Sequence, residues 1–223
     1  MAEKRDLAVI LLSSGMDSAV CASIANGHYR LAFLHVQYGQ RTARKELECF
    51  NKLCQFFQPE KVLIAEAPFL KKIGASSLTD ESLPIPETEE PGIPSTYVPF
   101  RNGIFLSIAT AWAEAIGAKK IFIGVNQVDF PGYPDCRDSF IRAFNQAIIE
   151  GTKPETEIKI EAPLLYLSKR EIVSLGMKLG TPFELTWSCY KEEKLACGRC
   201  SSCKLRLKAF EEAGFKDPLR YAV

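Results

Sequence analysis

Apolar residues run without alternation from Leu7 to Leu12. Such a run suits a strand covered on both faces, as in a parallel sheet, where neither face can carry polar side chains into water. The stretches 31–37, 61–65, 119–125 and 158–164 have the same character and predict four further strands. Between them the period changes to that of a helix. Leu47, Phe50, Cys54 and Phe57 share one face of 43–57, and Ile104, Phe105, Ile108, Ala111, Trp112, Ala115 and Ile116 form a broad stripe along 100–117. Ser168-Lys169-Arg170-Glu171 has the form of a capping box, opening a helix that ends near Leu179, before Gly180 and Pro182. Strands alternating with helices predict an α/β fold with a doubly wound parallel sheet.

One stretch breaks the alternation. Between 74 and 99, Pro84, Pro86, Pro91, Pro94 and Pro99 sit among Glu81, Glu87, Glu89 and Glu90. Proline removes backbone donors and the acids resist burial, so this segment is expected to be either a lid or a disordered loop. A chain of 223 residues can bury one sizeable core, with residues 1–185 as the main domain and 186–223 as a small appendage ending in a helix. The net charge of +1 argues against electrostatic capture of nucleic acid or an anionic membrane. No run approaches the roughly 20 apolar residues of a membrane span, and no secretion signal opens the chain, so a cytoplasmic protein is expected.

Cysteine usage changes the picture. Cys21, Cys49, Cys54 and Cys136 are scattered, but Cys189, Cys197, Cys200 and Cys203 fall within 15 residues. In a reducing compartment such a cluster points to metal rather than disulfides. Short C-x₂-C spacings let paired sulfurs reach one ion, and four thiolates close a tetrahedral sphere. One structural Zn²⁺ per chain is therefore expected, with an iron–sulfur cluster as the alternative. A zinc ribbon that binds nucleic acid is the non-enzymatic reading; Lys194, Arg199, Lys204, Arg206 and Lys208 are too few and too mixed with acids to favour it.

Directly after the first strand comes Leu12-Ser13-Ser14-Gly15-Met16-Asp17-Ser18, leading into a helical run. A strand that turns on small residues into a helix start offers free amides and the positive end of a helix dipole to an anion. Asp17 suits a phosphate cradle only if a cation is included, and Mg²⁺ on a polyphosphate takes one or two carboxylates. The plain alternative is an ordinary cluster of capping residues. The loop lacks the Walker pattern.

It resembles instead the Ser-Gly-Gly-x-Asp-Ser signature of the ATP pyrophosphatases (PP-loop enzymes), with Ser14 where those enzymes usually have glycine. Further stretches narrow the likeness: Tyr38-Gly39-Gln40-Arg41, Ser95-Thr96-Tyr97-Val98-Pro99-Phe100-Arg101-Asn102, the run from Gly124 to Asp138, and Thr186-Trp187-Ser188-Cys189-Tyr190. Together with the cysteine spacing they resemble the 7-cyano-7-deazaguanine synthase family from about Leu7 to Phe210, with Thr42 departing from the histidine common there.

That resemblance implies an adenine nucleotide alpha hydrolase-like fold and an ATP-dependent ligase in queuosine (7-deazapurine) biosynthesis. The implied reaction joins ammonia to 7-carboxy-7-deazaguanine through an activated carboxylate and an amide. ATP contacts are implied for Leu12, Ser13, Ser14, Gly15, Met16, Asp17, Ser18, Ala19, Val20, Cys21 and Ala22, with Mg²⁺ accompanying the nucleotide. Asp17, Ser18, Arg101 and Arg137 are the candidate catalytic groups. Tyr38, Gln40, Arg41, Arg101, Asn102, Asp129, Tyr133, Asp135 and Arg137 are the candidates for the base, the acids accepting its N–H groups and Tyr133 stacking on it. His28 and His35 are expected to be structural. Phe210, Phe215 and Tyr221, with the family, suggest a homodimer. A PP-loop enzyme that modifies tRNA bases is the alternative.

Overall fold

In a computed structural model, which describes residues 5–88, 92–128 and 132–223, five parallel strands form one sheet in the order β3-β2-β1-β4-β5. They are β1 (Leu7–Leu11), β2 (Arg30–Gln37), β3 (Lys61–Glu66), β4 (Lys120–Phe122) and β5 (Lys159–Glu161). Each lies within or beside a stretch expected from the apolar runs. The reason is visible at β1, where Val9 sits between Ala32 of β2 and Ile121 of β4. Leu7, Val9 and Leu11 feed one core layer while Ala8 and Ile10 feed the other, so no position of β1 can be polar.

Helices cover both faces: α1 (Met16–Asn26), α2 (Ala43–Phe57), α3 (Phe69–Ile73), α4 (Arg101–Ile116), α5 (Asp138–Gly151), α6 (Lys169–Leu179) and α7 (Ser201–Glu212). Leu106, Ala109 and Ala113 of α4 join the layer of Val9, and α1, α6 and α7 pack on the opposite side with Ile10 and Phe33. The capping box of α6 is formed in both directions, Glu171 N–H donating to Ser168 Oγ and Ser168 N–H to Glu171 Oε2, and Gly180 ends the helix at φ 68°. Among the described residues no helix is long and apolar enough to cross a membrane.

The strand order reverses direction at β1, whose two neighbours β2 and β4 are reached by different crossovers. In an open parallel sheet this is where a crevice opens beyond the strand C-termini. The loops after β1, β2 and β4 all end there.

The proline-rich segment is neither a helix nor a strand among its described residues, but it is packed. Ser76, Ser77 and Thr79 are buried, and Leu78, Ile85 and Val98 enter the core. Ser77 N–H donates to Ser95 O at 2.8 Å, and Ser201 N–H to Pro86 O at 3.1 Å, which ties the segment to α7. The C-terminal stretch is likewise built into the body. Arg206, counted above among the basic residues weighed for nucleic-acid binding, is 2% exposed: it forks onto Asp217 (2.8 and 2.9 Å) and donates to Thr186 Oγ1, Ser188 Oγ and Phe183 O. Phe210 is also buried, stacked edge-on with Phe183, and Tyr221 O–H donates to Asp217; of the three tail aromatics only Phe215 stays exposed. The tail aromatics therefore serve mainly this chain's own core.

Candidate active site

A cavity of about 230 Å³ lies at the topological switch point. It brings together Ser13 and Gly15 from the loop after β1, Asp17 and Ser18 from the first turn of α1, Tyr38 from the end of β2, Arg101 and Asn102 from the start of α4, and Tyr133. Its far wall comes from Trp187, Ser188, Cys189, Tyr190 and Ser202.

The loop after β1 turns at Ser14, whose φ of 69° is a left-handed conformation that side chains rarely take. The glycine of the usual signature would sit there without strain. Here the serine is held by its own hydroxyl, which donates to Glu46 O at 2.7 Å, while Ser14 O accepts Trp187 N–H at 2.8 Å. Gly15 precedes α1 and supplies no side-chain cap, so the first-turn amides of that helix remain available to a ligand. This disfavours an ordinary capping cluster. Gly124 permits the approach of the next loop: a Cβ there would fall 2.9 Å from Ser18 N and 3.0 Å from Asp17 C. Met16, Ala19, Val20, Cys21 and Ala22 are buried in α1 and do not line the cavity; Leu12 does.

Asp17 has a partner that no local pattern reveals. Lys169, the first residue of α6, places its ammonium on Asp17 Oδ2, and both side chains are largely buried. The other carboxylate oxygen, Oδ1, is buried without a hydrogen-bond partner. The cation that Asp17 requires is thus supplied in part by the protein, and an oxygen is left over for a second one.

Arg101 donates to Tyr38 O–H at 3.0 Å and lies over the Tyr38 and Phe105 rings. Tyr133 shares a 2.6 Å hydrogen bond with Thr96 and packs beside Tyr97. Burial pushes the hydroxyls of Tyr38, Tyr133 and Tyr190 above the usual tyrosine range, so all three stay neutral around Arg101.

Other expected site residues lie elsewhere. Gln40 is buried between Tyr38 N–H, which donates to its Oε1 at 2.9 Å, and Glu46, to which its Nε2 donates at 2.9 Å. Arg41 donates to the carbonyls of Asp80 and Leu83 and so anchors the proline-rich segment. Asp135 is buried and accepts Asn102 N–H at 2.9 Å, serving the start of α4 rather than the cavity. Its burial raises its pKa above the usual carboxylate range, opposed by the Asn102 amide and by Arg101. Arg137 is exposed between a short turn and α5 and does not line the cavity. Asp129 lies outside the described residues. His35 is structural in its contacts, its Nδ1 against Leu12 O at 3.0 Å and its ring 4.9 Å from Phe50; His28 is exposed.

The four clustered cysteines converge. Their sulfurs lie within 4.8 Å of one another, and Cys197 and Cys203 are 4.0 Å apart. A tetrahedral thiolate site with metal–sulfur bonds of about 2.3 Å spaces its sulfurs by about 3.8 Å. Hydrogen bonds from Cys200 and Cys203, with backbone amides of Cys197 and Glu192, lower the Cys189 thiol far below its ordinary range. Backbone donors aimed at sulfur suit thiolates, and the donor set fits a soft metal held in a closed site. Cys189 also lines the cavity, so this centre is continuous with the active-site wall.

A family model described as "Queuosine biosynthesis protein QueC" matches residues 7–214. The chain belongs to the QueC family. It is 52% identical over 219 residues to the 7-cyano-7-deazaguanine synthase of Chlorobaculum parvum, covering 97% of this chain and 96% of that one. The corresponding protein of Chlorobium phaeobacteroides is 55% identical over 217 residues, covering 96% of each. Among solved structures, a predicted subunit of tRNA methyltransferase from Methanocaldococcus jannaschii superimposes with a TM-score of 0.50 at 14% identity, covering 96% of this chain and 90% of that one, a likeness of fold alone. For this QueC chain, Glu46, Lys169 and Trp187 are among the residues at the cavity or its phosphate loop to which motif reading gives no role. Lys169 is masked by the capping box it belongs to, and Glu46 by the ordinary amphipathic pattern of α2.

Proposed function

We propose that this protein converts 7-carboxy-7-deazaguanine and ammonia to 7-cyano-7-deazaguanine at the expense of ATP, as its relatives are named for doing. The observation that carries the reading is that one cavity joins an uncapped helix start, suited to phosphate, to Arg101 and Tyr133, suited to an anionic aromatic base.

The chemistry follows from leaving groups. A carboxylate cannot lose oxide, so its oxygen first attacks the α-phosphorus of ATP and expels pyrophosphate. Ammonia adds to the resulting acyl adenylate, a proton leaves, and AMP departs to give the amide. The amide oxygen then attacks a second ATP, and loss of AMP and the remaining N–H protons leaves the nitrile. The chain's share is positioning and charge. Amides of the first turn of α1, with Ser13 and Ser18, hold phosphate oxygens, and Arg101 orients the carboxylate. Asp17 would hold Mg²⁺ through its unpartnered Oδ1, and the ion would screen charge on the phosphates. Lys169 holds the Asp17 carboxylate in place.

Zn²⁺ is the metal that best suits four thiolates in a closed site, where it stabilises the wall from Trp187 to Tyr190 and takes no chemical part. Association into a homodimer completes the reading, with Phe215 the tail aromatic left exposed for it. The test is mass spectrometry of one mixture of protein, 7-carboxy-7-deazaguanine, ammonium and Mg-ATP. Nitrile product supports the proposal, whereas unchanged acid with intact ATP removes it.

A further inference from the structure

One charged group in the cavity has no place in the reaction above. Glu46 stands in the first turn of α2 and lines the cavity. Its Oε1 accepts the Thr42 hydroxyl at 2.7 Å and its Oε2 accepts the Gln40 amide at 2.9 Å. Gln40 is fixed in turn by Tyr38 N–H, and both clamping side chains are buried. A carboxylate oxygen has two lone pairs, so each oxygen keeps one unused. The result is a rigid fork of acceptors. Among the described residues no lysine or arginine forms an ion pair with it, although burial works against its charge.

We infer that Glu46 is the specificity-determining residue for the substrate base, its two oxygens accepting the parallel N1–H and 2-amino N–H groups of the 2-amino-4-oxopyrimidine edge. This rests on the function proposed above. A pair of parallel donors matches a fixed carboxylate as a guanidinium does, and a buried fork lacking its donors rejects an analogue that cannot supply them. Sequence reading gives this role to Asp129 and Asp135; Asp129 lies outside the described residues, and Asp135 holds the Asn102 amide and does not line the cavity. An acid in the first turn also favours the α2 dipole, but that effect needs neither Thr42 nor Gln40.

The test compares titration of nucleotide-free protein with 7-carboxy-7-deazaguanine and with the analogue bearing hydrogen in place of the 2-amino group. The wild type should prefer the amino compound by about tenfold or more, the scale of a bidentate contact to a base edge. In Glu46→Gln one oxygen becomes a donor facing donors, and the preference should fall to about twofold or less while Mg-ATP affinity stays within about threefold. A role confined to the helix dipole would move the melting temperature and leave the preference intact. The inference is overturned if the wild type shows no preference, if Glu46→Gln retains it, or if the variant loses Mg-ATP instead. The wild-type comparison stands even if the variant fails to fold. Should the wild type bind neither base, it is the proposed function that has failed.

Discussion

The ammonium of Lys169 rests on the carboxylate of Asp17, although the two residues are 152 positions apart in the chain. The contact joins the starts of α1 and α6, so the positive end of α1 and one lysine answer a single carboxylate at the phosphate loop. An anion entering there meets donors already in place, with the added negative charge of Asp17 already half answered.

Removing either partner should therefore disable the same function. Lys169→Met keeps the aliphatic stem but strands Asp17, and turnover should fall by about two orders of magnitude, on the order of 3 kcal/mol. Asp17→Asn should lose a similar amount, and the double variant much less than the sum, because the two act as one unit. Steady-state rates of nitrile formation decide it. Near-normal turnover in Lys169→Met would reduce the pair to scaffolding.

Ser14 balances strain against a hydrogen bond. Its left-handed backbone costs roughly 1–2 kcal/mol relative to glycine, and its hydroxyl bond to Glu46 O returns about 1 kcal/mol. Ser14→Gly should thus leave stability within about 1 kcal/mol of wild type, while Ser14→Ala, which keeps the strain and loses the bond, should cost about 1–2 kcal/mol. Urea denaturation of the three proteins measures both.

Metal removal should reach the substrate site. Cys189 is at once a ligand candidate and part of the cavity wall between Ser188 and Tyr190. Stripping the protein with a strong chelator should lower its melting temperature and weaken 7-carboxy-7-deazaguanine binding, and Zn²⁺ should restore both. Unchanged affinity in the stripped protein would uncouple the two sites.

His35 sets a pH dependence. Burial lowers its pKa in the fold from an ordinary 6.5, opposed by the contact with Leu12 O. The native state keeps the ring neutral while the unfolded chain takes up a proton, so stability is full above the unfolded value and falls as pH drops below it. The slope is at most about 1.4 kcal/mol per pH unit for one proton. His35→Gln should flatten the stability difference between neutral and mildly acidic pH relative to wild type.

The five strands were legible because a strand buried on both faces must be apolar throughout, and β1 is. The edge strand β3 shows the limit, since Val62 and Ile64 stay exposed although they read as core. Helix α5 was not predicted, although Phe140, Ile141, Phe144 and Ile148 mark one apolar face along it; the turn-rich motif that precedes it dominates that part of the sequence. The phosphate loop and the cysteine cluster were legible because each is contiguous in sequence. The lysine partner of Asp17 was not, because α6 reaches the site only through the fold; the clamp on Glu46 is local, Thr42 four and Gln40 six positions before it, but an acid in the first turn of a helix reads as an ordinary partner of the helix dipole. Arg41 and Asp135 show the converse, motif residues whose contacts support a loop and a helix start outside the cavity, and Arg137 is exposed outside it.

The most direct test of activation by ATP follows the substrate's own oxygens. The protein would be given Mg-ATP, ammonium and 7-carboxy-7-deazaguanine with heavy oxygen at both carboxylate positions, and the nucleotide products would be weighed. Each activation transfers one carboxylate oxygen to a departing AMP, so AMP carrying a single heavy oxygen should accumulate at two molecules per nitrile formed. Heavy oxygen found in water or in inorganic phosphate, with unlabelled AMP, would contradict it.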